Sequence, residues 1–373
     1  MFVRDLTAHL HAIAPLDRAA SWDNVGLLAG AKDWPAHRVL LTIDLTPAVI
    51  AEAIDQRIEC IVAYHPPIFT PLKTITDSSW RSKIILDALA HRIAIYSPHT
   101  ALDAVPGGVN DWLLEPFGPG DVESLEHATT PNGRANRKIV TFCPADAVAT
   151  IRNAMAHAGA GEIGAYAECS FELTGYGSFR GDDSTSPAAG TAGQFERQPE
   201  SRLEMVCSDT TLAQVVRALR NAHPYEEPAF DIYALTSPPD SHAGMGRLCR
   251  LASPRTVTAL APTVASHLGV TSLRVSASAS DAPATTVGVC AGAGGSLLDA
   301  AIARGCDLFL TGEMRYHDVL DAQARGCTVM LAGHSNTERG YLPRYREAIA
   351  QRAGDSCIIE IASADQYPLT TLP

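Results

Sequence analysis

The sequence predicts an α/β protein: a two-part parallel-sheet core, one part from each end of the chain, with a ferredoxin-like domain inserted between them. Three observations lead there. Short apolar runs alternate with helix-length segments at both ends, the rhythm of parallel strands joined by helical crossovers. The middle of the chain instead carries strand, helix, strand, strand, helix, strand, the order of a ferredoxin-like unit. Finally, histidines and carboxylates cluster just after several predicted strands, where open parallel sheets bind ligands.

Taken in order, residues 1–10 keep polar residues between apolar ones and lack a continuous apolar signal-peptide core, so they read as an amphipathic helix. Val39 to Ile43 is a strand, and Thr46 with Pro47 caps a helix from Ala48 to Gln56. A strand at Ile58 to Ala63, a helix over Ser79 to His91 and a strand at Ile93 to Tyr96 complete the first part. The middle gives a strand at Lys138 to Phe142, a helix over Asp146 to His157, a turn at Gly159 to Gly161 and an extended stretch from Ala165 to Thr174. Gly181 to Pro199, rich in Gly, Ser, Thr and Pro, reads as a loop. A strand at Arg202 to Cys207, a helix over Leu212 to Ala222 and a strand at Ala229 to Tyr233 follow. The last part alternates strands at Val287 to Cys290, Leu308 to Leu310, Thr328 to Leu331 and Ile358 to Ile361 with helices over Ser296 to Arg304, Met314 to Ala324 and Thr337 to Arg352. Polar stretches near 129–133 and 237–239 place the domains at 1–135, 136–240 and 241–373.

Composition narrows the function. The 373 residues carry 29 Lys and Arg against 41 Asp and Glu, a net charge of −12 that argues against a broad phosphate-gripping surface and makes nucleic acid an unlikely partner. No apolar run approaches the roughly 18 residues that span a bilayer, so no membrane role and a cytoplasmic location are expected. The nine cysteines include no Cys-x-x-Cys pair, which excludes a zinc ribbon and a disulfide framework; several sit inside strands as small buried hydrophobes.

Tyr64 and His65 follow the second strand, His99 and Asp103 the third, Glu313 and His317 the strand ending at Leu310, and His334 with Glu338 the strand ending at Leu331. His334 and Glu338, four apart, share one helical face. Imidazole with carboxylate suits a divalent transition metal such as zinc, manganese, iron or nickel. Two further segments have open readings. Gly292, Gly294 and Gly295, between a strand and a helix, either bring backbone amides to a phosphate or simply make a tight turn. His223-Pro-Tyr-Glu-Glu227 either binds a metal or small effector, or is a turn that positions Tyr225.

Ser21-Trp-Asp-Asn-Val-Gly-Leu-Leu28, Tyr64-His-Pro-Pro-Ile-Phe69, Ser97-Pro-His-Thr-Ala-Leu-Asp103, Gly312-Glu313 and Gly333-His-Ser-Asn-Thr-Glu338 together resemble the Nif-three-like family, the GTP cyclohydrolase 1 type 2 homologues. The resemblance covers roughly residues 1–130 and 244–373, and the middle, especially residues 223–230, looks like the PII/CutA-like insert of the longer bacterial members. It implies a toroidal homohexamer with a dinuclear metal site. It also implies His65, Asp103, His334 and Glu338 as ligands, Asp103 and Glu338 being able to bridge two ions. Many bacterial members have two adjacent histidines where this chain has Tyr64-His65, which leaves one or two ions per subunit. His99 and Glu313 are the candidate catalytic residues, with His317 as a further candidate for proton transfer.

The chemistry that follows is metal-assisted hydrolysis of a nucleotide or other small phosphorylated substrate, with a water activated between ions and His99 or a carboxylate as general base. The alternative is a metal-binding regulatory or storage assembly without turnover.

Overall fold

The computed structural model describes residues 1–129, 135–188, 190–236, 239–276 and 283–369. The polar stretches expected to frame the insert fall largely at 130–134 and 237–238, outside those residues. The chain divides into two compact units, Met1–Thr129 with Pro239–Pro373, and Thr130–Pro238.

The first unit opens with α1 (Val3–Ile13), β1 (Gly26–Ala29), β2 (Arg38–Thr42), α2 (Pro47–Asp55), β3 (Cys60–Ala63), α3 (Trp80–Ala90), β4 (Ala94–Ser97), α4 (His99–Ala104), α5 (Val109–Leu114) and β5 (Gly120–Thr129). The second unit holds β6 (Arg137–Cys143), α6 (Val148–His157), β7 (Ser170–Phe179), β8 (Glu196–Cys207), α7 (Asp209–Ala222) and β9 (Phe230–Ala234). The first unit then resumes with β10 (Pro239–Thr256), α8 (Val257–Leu268), β11 (Arg274–Val275), β12 (Pro283–Ala293), α9 (Leu298–Ala303) and β13 (Leu308–Glu313). It ends with α10 (Tyr316–Ala324), β14 (Thr328–Leu331), α11 (Asn336–Arg339), α12 (Leu342–Ala353) and β15 (Ile358–Ile361).

Two sheets build the first unit. One has the order β1-β4-β3-β2-β15, parallel except for the antiparallel edge β1. The other has the order β11-β14-β13-β12-β10-β5, parallel across β12, β13 and β14 and antiparallel at its flanks. The two halves of the chain interlock, because β15 completes the N-terminal sheet while β5 pairs with β10 in the other. The expected helix over 337–352 is two helices. Pro343 lacks an amide hydrogen and fits only a first turn, so α12 starts afresh there.

Alternation along the strands sets the layers. Val39, Leu41, Val62 and Tyr96 of one sheet share a core with Val287, Val289, Leu308 and Leu310 of the other, together with apolar residues of α1, α5, α8 and α12. Leu40, Ile61 and Ile95 face the opposite way onto α2 and α3, and Leu248, Phe309 and Val329 face α9 and α10. Each such leucine or isoleucine contributes about 1.5–3 kcal/mol by leaving water. This rigid stack sets β2, β3, β4, β13 and β14 so that the residues following them can converge. All nine cysteines are free, and seven are buried in these cores and that of the second unit. Among the described residues no helix is long and apolar enough to cross a membrane.

The second unit is an antiparallel sheet of order β7-β8-β6-β9. Ile139, Leu203 and Met205 pack on Ile151 of α6 and on Val215 and Leu219 of α7. Glu196 to Pro199, expected in a loop, belong to β8: their pairing with Tyr176 to Phe179 overrides a loop-like composition.

Candidate metal centre

His65 lies one residue beyond the β3–Tyr64 junction, and its amide donates to the Ile43 carbonyl, so the parallel ladder runs on into the site. His65 Nδ1 is 2.9 Å from Asp44 Oδ1, at the end of β2. Its Nε2 is 3.3 Å from Glu338 Oε2. His334 repeats the arrangement, with Nδ1 3.0 Å from Glu313 Oε1 and Nε2 3.5 Å from Glu338 Oε1. Each imidazole is therefore turned by an outer carboxylate so that Nε2 points at Glu338, which orients a metal-ligating histidine and fixes its tautomer. Ligand atoms of His65, His334 and Glu338 all lie within 4.8 Å of one another.

The electrostatics fit a cation at that point. His65 Nε2 and Glu338 Oε2 are buried, and despite their proximity neither makes an aligned hydrogen bond. Burial alone would depress the His65 pKa, but the Glu338 carboxylate and the Asp44 contact outweigh it and raise it to about 10. Burial likewise pushes Asp44 up, yet its hydrogen bond to His65 and the nearby positive charge hold it below the usual carboxylate range. Two imidazoles and a carboxylate are a donor set for zinc, manganese, iron or nickel rather than for a thiolate-seeking ion.

Asp103 is buried beside this group, and the Tyr64 hydroxyl donates to its Oδ1. Burial raises Asp103 to about 6 and, together with the Asp103 charge, keeps the Tyr64 phenol protonated well above its ordinary range. Asn110 ties the pair into the second sheet: its amide donates to the Asp103 carbonyl at 3.0 Å, and its Oδ1 accepts from the Ala291 amide at 2.9 Å. His99 starts α4 with φ of +31°, an uncommon backbone state for a non-glycine residue. Its Nδ1 is 2.8 Å from Asp23 Oδ1, and Thr100 donates its amide and hydroxyl to Asp23 Oδ2 at 3.1 and 2.5 Å. Burial pushes Asp23 up, but the His99 and Thr100 bonds hold it below the ordinary carboxylate value.

Glycine makes the space. A Cβ on Gly292, at φ +64°, would sit 2.7 Å from Glu338 Oε1 and 3.0 Å from His334 Nε2. Its amide donates to Thr337 Oγ1 at 2.8 Å, and the Gly294 amide to Thr311 Oγ1 at 2.9 Å. These two amides are thus engaged inside the protein, and the bare Gly292 clears the wall of the His334–Glu338 site.

Two cavities flank the group. His334 and Glu338, with Asp103 and His99, line one of about 550 Å³ whose other walls include Arg18, Trp22 and Phe69. His65, His334, His99 and Glu313 line another of about 510 Å³. Arg18 Nη2 is 3.1 Å from Asp240 Oδ2, while its Nη1 is buried without a hydrogen-bond partner.

Of the residues singled out from the sequence, His65, His334 and Glu338 come together as one group. Asp103 stands next to it, bonded to Tyr64, and His99 shares its cavities. Glu313 orients His334 rather than joining the group. His317 is exposed, and its ring packs 5.5 Å from Tyr316. Asp44, two residues before the Thr46 cap, was not singled out from the sequence as a site residue. Its position two residues after β2 was the signal, the same that marks the other strand ends.

Comparison with known proteins agrees with the motifs. A family model described as Duf34/NIF3 (NGG1p interacting factor 3) matches residues 1–368. NIF3-like protein 1 of Rattus norvegicus is 34% identical over 375 residues, covering 99% of this chain and 92% of its own. A GTP cyclohydrolase 1 type 2 homolog of Bacillus subtilis is 35% identical over 321 residues, covering 86% and 85%. Among solved structures, a Bacillus cereus protein related to NIF3 superposes with a TM-score of 0.70 at 30% identity, covering 100% of this chain and 99% of that one. With the match running through both ends of the chain that build the His65–His334–Glu338 group, and through the unit between them, this chain belongs to the DUF34/NIF3 family.

Proposed function

We propose that the protein is a metal-dependent hydrolase acting on a small anionic, phosphate-bearing compound of the nucleotide class. One observation carries the reading: the His334–Glu338 wall opens on a cavity of about 550 Å³ that Arg18 also lines. Guanidinium matches phosphate geometry, and the Asp240 carboxylate holds Arg18 there through Nη2. Trp22 and Phe69 offer aromatic faces for a planar body.

His65, His334 and Glu338 hold the ion in this account, and a divalent transition metal there would supply Lewis acidity and lower the pKa of water. Asp44 and Glu313 hold the imidazole Nδ1–H groups, which leaves both Nε2 lone pairs for the ion. Asp23 holds His99 Nδ1, so Nε2 of His99 is the atom that takes and returns the proton. We assign one firmly held ion per chain, because Tyr64 engages Asp103 with a phenol that keeps its proton where a second imidazole would be a ligand. The proposal extends to a cytoplasmic homohexamer, following the family resemblance.

The test is turnover of GTP and other nucleotides by manganese-loaded protein, followed by product chromatography. His65→Ala is expected to lose metal and turnover together. Arg18→Gln keeps its metal and raises KM at least about tenfold. Turnover that survives loss of the metal would overturn the reading. Metal binding with no turnover of any nucleotide would replace it with a regulatory or storage role.

A further inference from the structure

We propose that the second unit carries its own ligand site, for a small organic cation with an apolar body, on the sheet face opposite α6 and α7. The face is set by register: Leu173 pairs with Arg202, Gly175 with Glu200, and Arg202 with Phe142, while the intervening Leu203 and Met205 point to the helices. A cavity of about 590 Å³ lies on it, walled by Phe142, Phe179 and Tyr225 and by the carboxylates Glu200 and Glu226. That volume is within the range of small-ligand sites.

Two glycines shape the floor. A Cβ at Gly177 would overlap the Glu200 carboxylate, so the bare strand lets that group lie across it. A Cβ at Gly175 would meet nothing within 4 Å. The carboxylate is held from the side by Tyr225, whose hydroxyl donates to Glu200 Oε1 at 2.8 Å. His223 fastens the segment that brings Tyr225 there: its Nε2 lies 3.0 Å from the Phe142 carbonyl, and its Nδ1 accepts from the Tyr225 amide at 3.1 Å. Burial lowers the His223 pKa and keeps the ring neutral in that role. Both readings of the His223-Pro-Tyr-Glu-Glu227 segment are thus served, His223 by positioning and Tyr225 and Glu226 by facing the cavity.

Charge selects the ligand. Arg202, the one basic residue among the described lining, stands 5.8 Å from the Phe142 ring and is tied at 2.7 Å to Glu204, which Lys138 also pairs at 2.8 Å. Glu227 is matched by Arg220 at 3.2 Å, and Glu226 accepts from the Ser186 amide at 3.1 Å. Glu200 and Glu226 therefore leave the cavity negative. Aromatic faces around a carboxylate attract ammonium groups and repel anions. The apolar remainder of the ligand would lie against Leu173, Phe179 and Pro187.

The test is calorimetric titration of the full chain with benzyltrimethylammonium, benzylamine, benzyl alcohol and benzoate. Both cations are expected to bind at least about tenfold more tightly than the alcohol, with benzoate weakest. Glu200→Gln should weaken the cations by about tenfold. Gly175→Val, which fills open space on a strand, should abolish binding without lowering the melting temperature. Binding of benzoate as tight as that of the amines, cation binding indifferent to Glu200→Gln, or no cation binding at all would each overturn the proposal.

Discussion

Without metal, His65 keeps its proton to about pH 10, whereas a free imidazole titrates near 6.5. A metal ion needs the bare Nε2, so binding must expel that proton. At pH 8 the expulsion opposes binding by about 3 kcal/mol, two pH units at about 1.4 kcal/mol each. Affinity should therefore rise about tenfold per pH unit between about pH 7 and 9. Asp103, raised to about 6, is already ionised there and contributes little. The assay is titration with manganese(II) at pH 8 in two buffers of different ionisation enthalpy, which reads the released protons directly. About one proton per ion is expected. The same shift acts on folding: the folded pKa exceeds the unfolded one, so the stabilisation is complete below about pH 6.5 and fades as pH rises through about 10. Metal-loaded protein should not show that decline. Affinity independent of pH, with no proton released, would refute the reasoning.

Three further outcomes follow from the geometry. Gly292→Ala puts a methyl group 2.7 Å from Glu338 Oε1 at φ +64°; metal affinity should fall at least about tenfold and stability by about 1–2 kcal/mol, read by metal titration and thermal melting. Tyr64→His replaces a protonated phenol with an imidazole beside Asp103, and metal content by elemental mass spectrometry should rise from one ion toward two per chain. Arg247 is 1% exposed and bonds Asp111 at 2.5 Å and the Gly244, Gly246 and Val105 carbonyls at 2.7–2.9 Å. Arg247→Met should cost about 3–5 kcal/mol in guanidinium unfolding, because it breaks the ion pair with Asp111 and removes the donor that the Gly244, Gly246 and Val105 carbonyls share.

Much of this was legible because parallel strands buried on both faces are continuous apolar runs, and Val39–Ile43, Ile58–Ala63 and Leu308–Leu310 stand out as such. The carboxyl end of Ile58–Ala63 then marked His65, and that of Thr328–Leu331 marked His334 and Glu338, before any contact was known. The antiparallel strands β1, β5 and β10 were not legible. β5 alternates charges with few apolar residues, and its pairing with β10 spans the whole second unit. Local pattern carries no sign of a partner so far along the chain. Nor could the sequence say why Gly292 is glycine: its role depends on Glu338 and His334 folding against it from 40 or more residues away. The pairing of His65 with Asp44 and of His99 with Asp23 is likewise a product of tertiary packing.

The most direct measurement is metal content per chain in protein purified without chelator or added metal, by elemental mass spectrometry, for wild type and Glu338→Ala with circular dichroism as the check on folding. The account predicts about one divalent transition-metal ion per wild-type chain and essentially none in a folded Glu338→Ala variant. Wild-type protein that holds no metal even after titration, or a variant that keeps its ion, would contradict the assignment of His65, His334 and Glu338 as a metal centre.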